Sequence, residues 1–259
     1  MLIRRAVAAL AATVLLAAAC GDQDGEEAAP ATTSSTVAAS TTTTVATTTT
    51  TVATTAPATP TTAAATDPAL VARAEAAVLR AGDFPPDAGR WEAEPPEEGL
   101  DLEIVWRDIV QCLAVDAGPP LASATSPTFR RDLATQVRTT VEHRSEQSAM
   151  MLADALAGPR YPECARNAFA ADADRSKPEG ATPGPVQVSP LPVAQRGQRT
   201  VASRVNLTMN LDDLQVPIFQ DLTVVFDAGK VVRLLFLNPG GAFPENLRAS
   251  LTDKVLARA

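Results

Sequence analysis

The sequence predicts an α+β domain, an antiparallel sheet covered by helices, over residues 67–259. Three observations carry this expectation. Apolar residues recur at helical spacing in separate segments, each closed by Gly or Pro. The last third of the chain holds PVQVSPLPV, RTVASRVNLTMNL and VPIFQDLTVVFDAGKVVRLLFLN, which read as successive strands. The order of elements is two helices, two strands, two helices, four strands and a final helix, the order of an α+β domain built on an antiparallel sheet.

Asp67-Pro68 supplies an N-cap and a proline at the first helical position. Leu70, Val71, Ala74, Ala77 and Val78 form an apolar stripe up to about Arg80, and Gly82 is expected to end the helix. DFPPDAGRW turns the chain and places Trp91 in the core. After the acidic EAEPPEEG, the segment LDLEIVWRDIVQCLAV carries Leu102, Val105, Trp106, Ile109, Val110 and Leu113 on one helical face, with Cys112 near its end. SPTFRR and TQVRTTVEHR read as extended. In the second, Val137, Thr139, Val141 and His143 alternate with Gln136, Arg138, Thr140, Glu142 and Arg144, the pattern of a half-exposed strand. Ser145 is the N-cap of a helix carrying Met150, Met151, Leu152 and Leu156 and ending at Gly158-Pro159. YPECARNAFAADA is a further helix containing Cys164, and DRSKPEGATPGP a polar loop. Asp227-Ala228-Gly229-Lys230 is a hairpin signal, and Pro244 to Ala259 a closing helix with Leu247, Leu251, Val255 and Leu256 on one face.

Ahead of the domain, Arg4 and Arg5 precede an apolar stretch from Ala6 to Ala19, too short for a permanent membrane span and typical of a signal peptide over residues 1–19. Ala17, Ala18 and Ala19 before Cys20 resemble a bacterial lipobox, with Ala17 in the aliphatic slot. That resemblance implies a diacylglycerol on Cys20 and cleavage before it, and two or three chains give stable anchoring. The alternative is a secreted protein cut after an A-x-A-like site. Residues 20–66 form a linker; from Ala28 to Thr66 it has no charge and is mainly Thr, Ala, Ser and Pro, a composition that cannot offset its ordering entropy. Its extended reach is on the order of 100 Å. Thr and Pro together also suit an O-glycosylated stalk, with an unmodified spacer as the alternative.

The formal net charge is −8; two arginines against four carboxylates in residues 1–66 leave −6 for the domain. An acidic domain without a basic run is a poor partner for nucleic acid. One Tyr and two Trp make a stacking platform for bases or sugars unexpected. Of the three cysteines, Cys112 and Cys164 are expected to pair in an exported chain. His143 is the single imidazole, so a metal centre is not expected; the acidic segment after Trp91 lacks the spacing of a calcium loop. Ser145 and Ser148 lie close to His143 in sequence, but no glycine frame of a nucleophile elbow surrounds them, and neither an enzyme nor a cofactor is expected.

Taken together, the lipobox and Thr-rich tether, DFPPDAGRW after the first helix, Cys112 before the strand pair, Cys164 after VRTTVEHR, and DAGKVVRLLFL before a last helix form a familiar layout. It resembles the actinobacterial cell-envelope lipoproteins of the LpqN type and the extracellular sensor domains of mycobacterial serine/threonine kinases, with a PsbP/Mog1-like sandwich. The resemblance covers most of Asp67 to Ala259 and implies an exported ligand-binding or sensory module at the cell membrane, without catalytic residues. The expectation is therefore a membrane-anchored, monomeric domain holding a small, apolar ligand, with Trp106, Met150 and Met151 as contacts. The bland alternative for the methionines is core filling. The alternative for the whole domain is an accessory envelope protein that docks a protein partner.

Overall fold

The computed structural model describes residues 67–94, 102–132 and 135–259. The expectations for the signal peptide, Cys20 and the linker fall on residues 1–66, and those for most of the acidic loop on 95–101, outside the described residues.

Five α-helices and nine strands make up the described part: α1 (Pro68–Ala77), β1 (Glu92–Glu94), α2 (Leu102–Leu113), β2 (Ala122–Thr125), β3 (Thr128–Arg131), β4 (Thr135–His143), α3 (Glu146–Ala157), α4 (Tyr161–Ser176), β5 (Ala181–Pro183), β6 (Gln187–Pro190), β7 (Arg199–Leu211), β8 (Leu214–Asp227), β9 (Lys230–Pro239) and α5 (Glu245–Leu256). The strands form one sheet in the order β1-β3-β4-β9-β8-β7-β5, with β2 paired to β4 and β6 to β7, and every pairing is antiparallel. The predicted α+β class on an antiparallel sheet is what the chain adopts.

Local signals set several boundaries. The Asp67 carboxylate accepts from the Ala69 N–H at 2.9 Å, and Ser145 Oγ from the Ser148 N–H at 3.1 Å, so both predicted N-caps satisfy helix-end donors. Ala228 and Gly229 both take positive φ, 46° and 79°, between the paired Asp227 and Lys230. Positive φ at both turn residues matches the right-handed twist of the strands. A Cβ on Gly229 would lie 2.7 Å from the Arg144 carbonyl oxygen, so glycine is required for space as well as conformation.

Both faces of the sheet are covered. On one, Val105, Ile109, Leu152, Leu156 and Phe169 of α2, α3 and α4 pack on Val205, Met209, Leu222, Val224 and Leu235. On the other, Ala74 and Ala77 of α1 and Leu247, Leu251 and Val255 of α5 pack on Val137, Val141, Val225, Leu234 and Phe236. This explains the nearly unbroken apolar run of β9, since a strand buried on both sides has no face to leave polar. It also corrects the reading of β4 as half-exposed: Gln136, Thr140 and Glu142 are buried along with Val137 and Val141. Trp91 stacks on Phe84 at 4.5 Å between ring centroids and is half-buried, at the rim of the second core.

Other boundaries differ. α1 stops at Ala77 because Val78 turns extended, and Ala81–Asp83 forms a separate 3-10 turn. α4 runs on to Ser176, taking in the start of the expected loop. The strands β1, β2 and β5 add to the six expected.

Two ionic clasps tie distant elements. Arg258, just past α5, donates to both Asp83 oxygens at 2.8 Å and to the Ala77 and Val78 carbonyls at 3.3 and 3.0 Å, closing α5 onto the end of α1. Burial alone would raise the Asp83 pKa; hydrogen bonds from Arg258 and the Arg80 N–H, with the charges of Arg258 and Lys254, outweigh it and hold the carboxyl below its ordinary range. Under α5, Asp221 of β8 takes Arg204 Nε and Nη2 at 2.6 and 2.8 Å and Arg248 Nη1 at 2.5 Å.

Candidate functional site

The sequence carries its own pointer to the site: Arg233 interrupts VVRLLFL, and a charge on a strand buried on both faces requires a partner. Register places Arg233 opposite Thr140 on the α2 side of the sheet. Its side chain is 3% exposed, and Nη2 donates to Glu142 Oε1 at 2.6 Å and to both Glu103 oxygens at 3.1 Å. The guanidinium lies 4.6 Å from the Trp106 ring centroid, a cation–π contact in a desolvated setting. Thr140 Oγ1 also donates to Glu103.

Glu142 passes the network on, taking Arg144 Nε at 2.6 Å on its second oxygen. Arg144 Nη1 then donates to the Gly118 and Ala117 carbonyls at 2.8 and 3.3 Å, and Ser148 Oγ to Ala117 at 2.5 Å. One chain of hydrogen bonds thus runs from β9 through β4 to the loop that follows α2. That loop leaves the helix by an αL cap: Ala114 has φ 56°, its N–H bonds the Gln111 carbonyl, and the Val115 N–H bonds Val110. An alanine there carries a strain that glycine would avoid.

Between α2, this loop and α3 lies a cleft of about 440 Å³. Trp106, Val110, Val115 and Leu152 give it apolar walls; Arg107, Gln111, Asp116 and Arg144 give it polar ones. A concave site with an apolar lining and a few convergent polar groups is the usual form of a small-molecule site. The Cys112–Cys164 disulfide, with Cα atoms 5.5 Å apart, fastens α2 to α4 directly beside Gln111.

Of the residues expected to contact a ligand, Trp106 lines this cleft, although only 7% exposed. Met150 is half-buried against the first core, Met151 is 42% exposed, and neither is among the residues lining the cleft. Of the three, Trp106 alone lines the cleft. Sequence reasoning missed Arg107, Gln111, Asp116 and Arg144; the odd arginine in β9 was the signal available. Among the described residues, no three His, Cys, Asp or Glu side chains converge on a point, and no helix is long and apolar enough to cross a membrane.

The two serines near His143 are committed elsewhere, Ser145 to the α3 cap and Ser148 to the Ala117 carbonyl. His143 sits at the end of β4 opposite Lys230, and its Nε2 is buried without a hydrogen-bond partner. Burial, then the charges of Lys230 and Arg73, hold the imidazole below its ordinary value of 6.5. A base whose folded pKa is depressed binds its proton more tightly when unfolded. Its contribution to stability is therefore present above 6.5 and lost as pH falls from 6.5 through the folded value. Replacing it, as His143→Gln, should flatten the fall in stability between about pH 7 and pH 5, read from urea midpoints at the two pH values. An unchanged slope would place the titrating group elsewhere.

No protein-family model, no curated protein and no solved structure matches this chain.

Proposed function

We propose that the chain is a lipid-anchored cell-envelope lipoprotein whose folded domain is a non-catalytic binding or sensory module on the extracytoplasmic face. The observation that supports binding most directly is the cleft of about 440 Å³ with its mixed lining. The lipobox-like AAAC and the uncharged Thr-rich tether support the anchor. Partner docking through a broad apolar face has less support: among the described residues, Leu121 and Met151 are the large apolar side chains left exposed.

Two measurements test this on the full chain made with its leader in a bacterial host. Labelling by radioactive palmitate and recovery in the membrane fraction should both be lost in Cys20→Ser; retention of the label rejects the anchor. Native mass spectrometry should show an adduct that disappears on denaturation and is absent from Gln111→Trp, which fills the cleft. An adduct that survives that substitution moves the site, and a clean apo mass transfers the weight to protein docking.

A further inference from the structure

A second cavity, of about 210 Å³, opens where the α3–α4 turn meets β6 and β7. Leu156, Val188, Pro190 and Val201 form its walls, and no charged side chain lines it. That separates it chemically from the cleft, which has three charged side chains. The volume exceeds the roughly 150 Å³ that accommodates one benzene in an engineered apolar cavity.

Two buried hydroxyls also line the pocket. Tyr161, 6% exposed, and Ser203, 2% exposed, share a hydrogen bond of 2.7 Å between their oxygens. Two hydroxyls carry two donor protons, and their mutual bond uses one. The other has no acceptor among the described residues. A buried donor left without an acceptor is costly, so a pocket holding one is complementary to a ligand that brings an oxygen. Burial raises the Tyr161 pKa, with the Ser203 bond opposing, so the phenol stays a neutral donor at physiological pH.

We propose that this pocket binds an uncharged apolar molecule carrying one carbonyl-type acceptor, the chemistry of a short acyl ester, with the alkyl body against Leu156, Val188 and Val201 and the carbonyl oxygen on the spare Tyr161–Ser203 proton. A free carboxylate is excluded by the same lining, because nothing in the pocket offsets the desolvation of a charge. This site is independent of the cleft, and neither depends on the other being occupied.

The test is photoaffinity labelling of the full chain in lipid nanodiscs, with the methyl ester of octanoic acid bearing a terminal diazirine as probe and peptide mapping as readout. Labels are expected on peptides covering residues 156–162 and 187–203, competed by methyl octanoate about tenfold better than by octanoate. Val201→Phe, which fills the pocket, should abolish them, and Tyr161→Phe combined with Ser203→Ala, which removes both protons, should reduce them about tenfold, the worth of one hydrogen bond. No label on these peptides, or label unaffected by Val201→Phe, overturns the site. Equal competition by the carboxylate overturns the uncharged class. Wild-type labelling of the Tyr161→Phe, Ser203→Ala double variant overturns the carbonyl contact.

Discussion

Asp221→Ala will destabilise the domain by about 3–5 kcal/mol, the cost of removing one partner from a buried ion pair. Asp221 is 1% exposed and sits directly across from Arg204 in the β7–β8 register. Arg204 closes on it as a two-pronged fork, and the Asp221 hydrogen bonds raise the Arg204 pKa against its partial burial. Arg248 approaches from α5 with a side chain only 6% exposed. Arg204 can swing toward water when the carboxylate is gone; Arg248 cannot, and that stranded charge is the source of the large effect. A charge-free replacement of similar shape removes the conflict, so Asp221→Leu combined with Arg248→Met should recover most of the loss. Urea midpoints with slopes will read both. A loss under about 1 kcal/mol for the single variant would mean that Arg248 is solvated and α5 is not seated as described.

Breaking Cys112–Cys164 should cost about 4 kcal/mol in the chain-entropy model, because the bond closes a loop between residues 52 apart. The pair Cys112→Ser and Cys164→Ala suits the site: Cys112 is partly exposed, while Cys164 is buried and has no place for a hydroxyl. The effect should be local as well as global. Arg160 Nη2 also holds the Cys112 carbonyl at 2.8 Å, so the end of α2 keeps one tie to α4 after the sulfurs are gone. Amide exchange should therefore quicken most along α2 near Val110 and Gln111, and any ligand of the cleft should weaken with it. Thermal unfolding with and without reductant measures the first effect. A melting temperature that does not move on reduction would show that the disulfide adds nothing to what the Arg160 bond and packing already hold.

The elements read correctly from sequence are those whose cause is local. Asp67 and Ser145 cap helices because a side-chain oxygen reaches an N–H two or three residues on, and Ala228-Gly229 turns because of its own backbone. β1, β2 and β5 escaped because EAE, ASAT and ATP are three or four residues long and hold no large apolar side chain; they are strands only through the neighbours beside them. β4 was misread for a related reason: Glu142 and Thr140 look solvent-facing until Arg233 and Glu103, far away in the chain, turn them inward. The cysteine pair was legible from the expectation of an exported chain, in which two spare thiols pair. The cleft was not, because its loop wall is positioned by Arg144, which reaches it from just past the end of β4.

The clasp at Arg258 has a kinetic meaning. It joins residues 175 apart in sequence, and α5 supplies half of the layer that α1 begins. A chain that emerges N-terminus first exposes Ala74, Ala77 and Leu79 long before Leu247, Leu251 and Val255 arrive to cover them. That layer cannot close progressively, and contacts of such long range belong to slow-folding topologies. Until α5 follows, the nascent domain keeps a greasy flank open, and a holding chaperone will find its grip there.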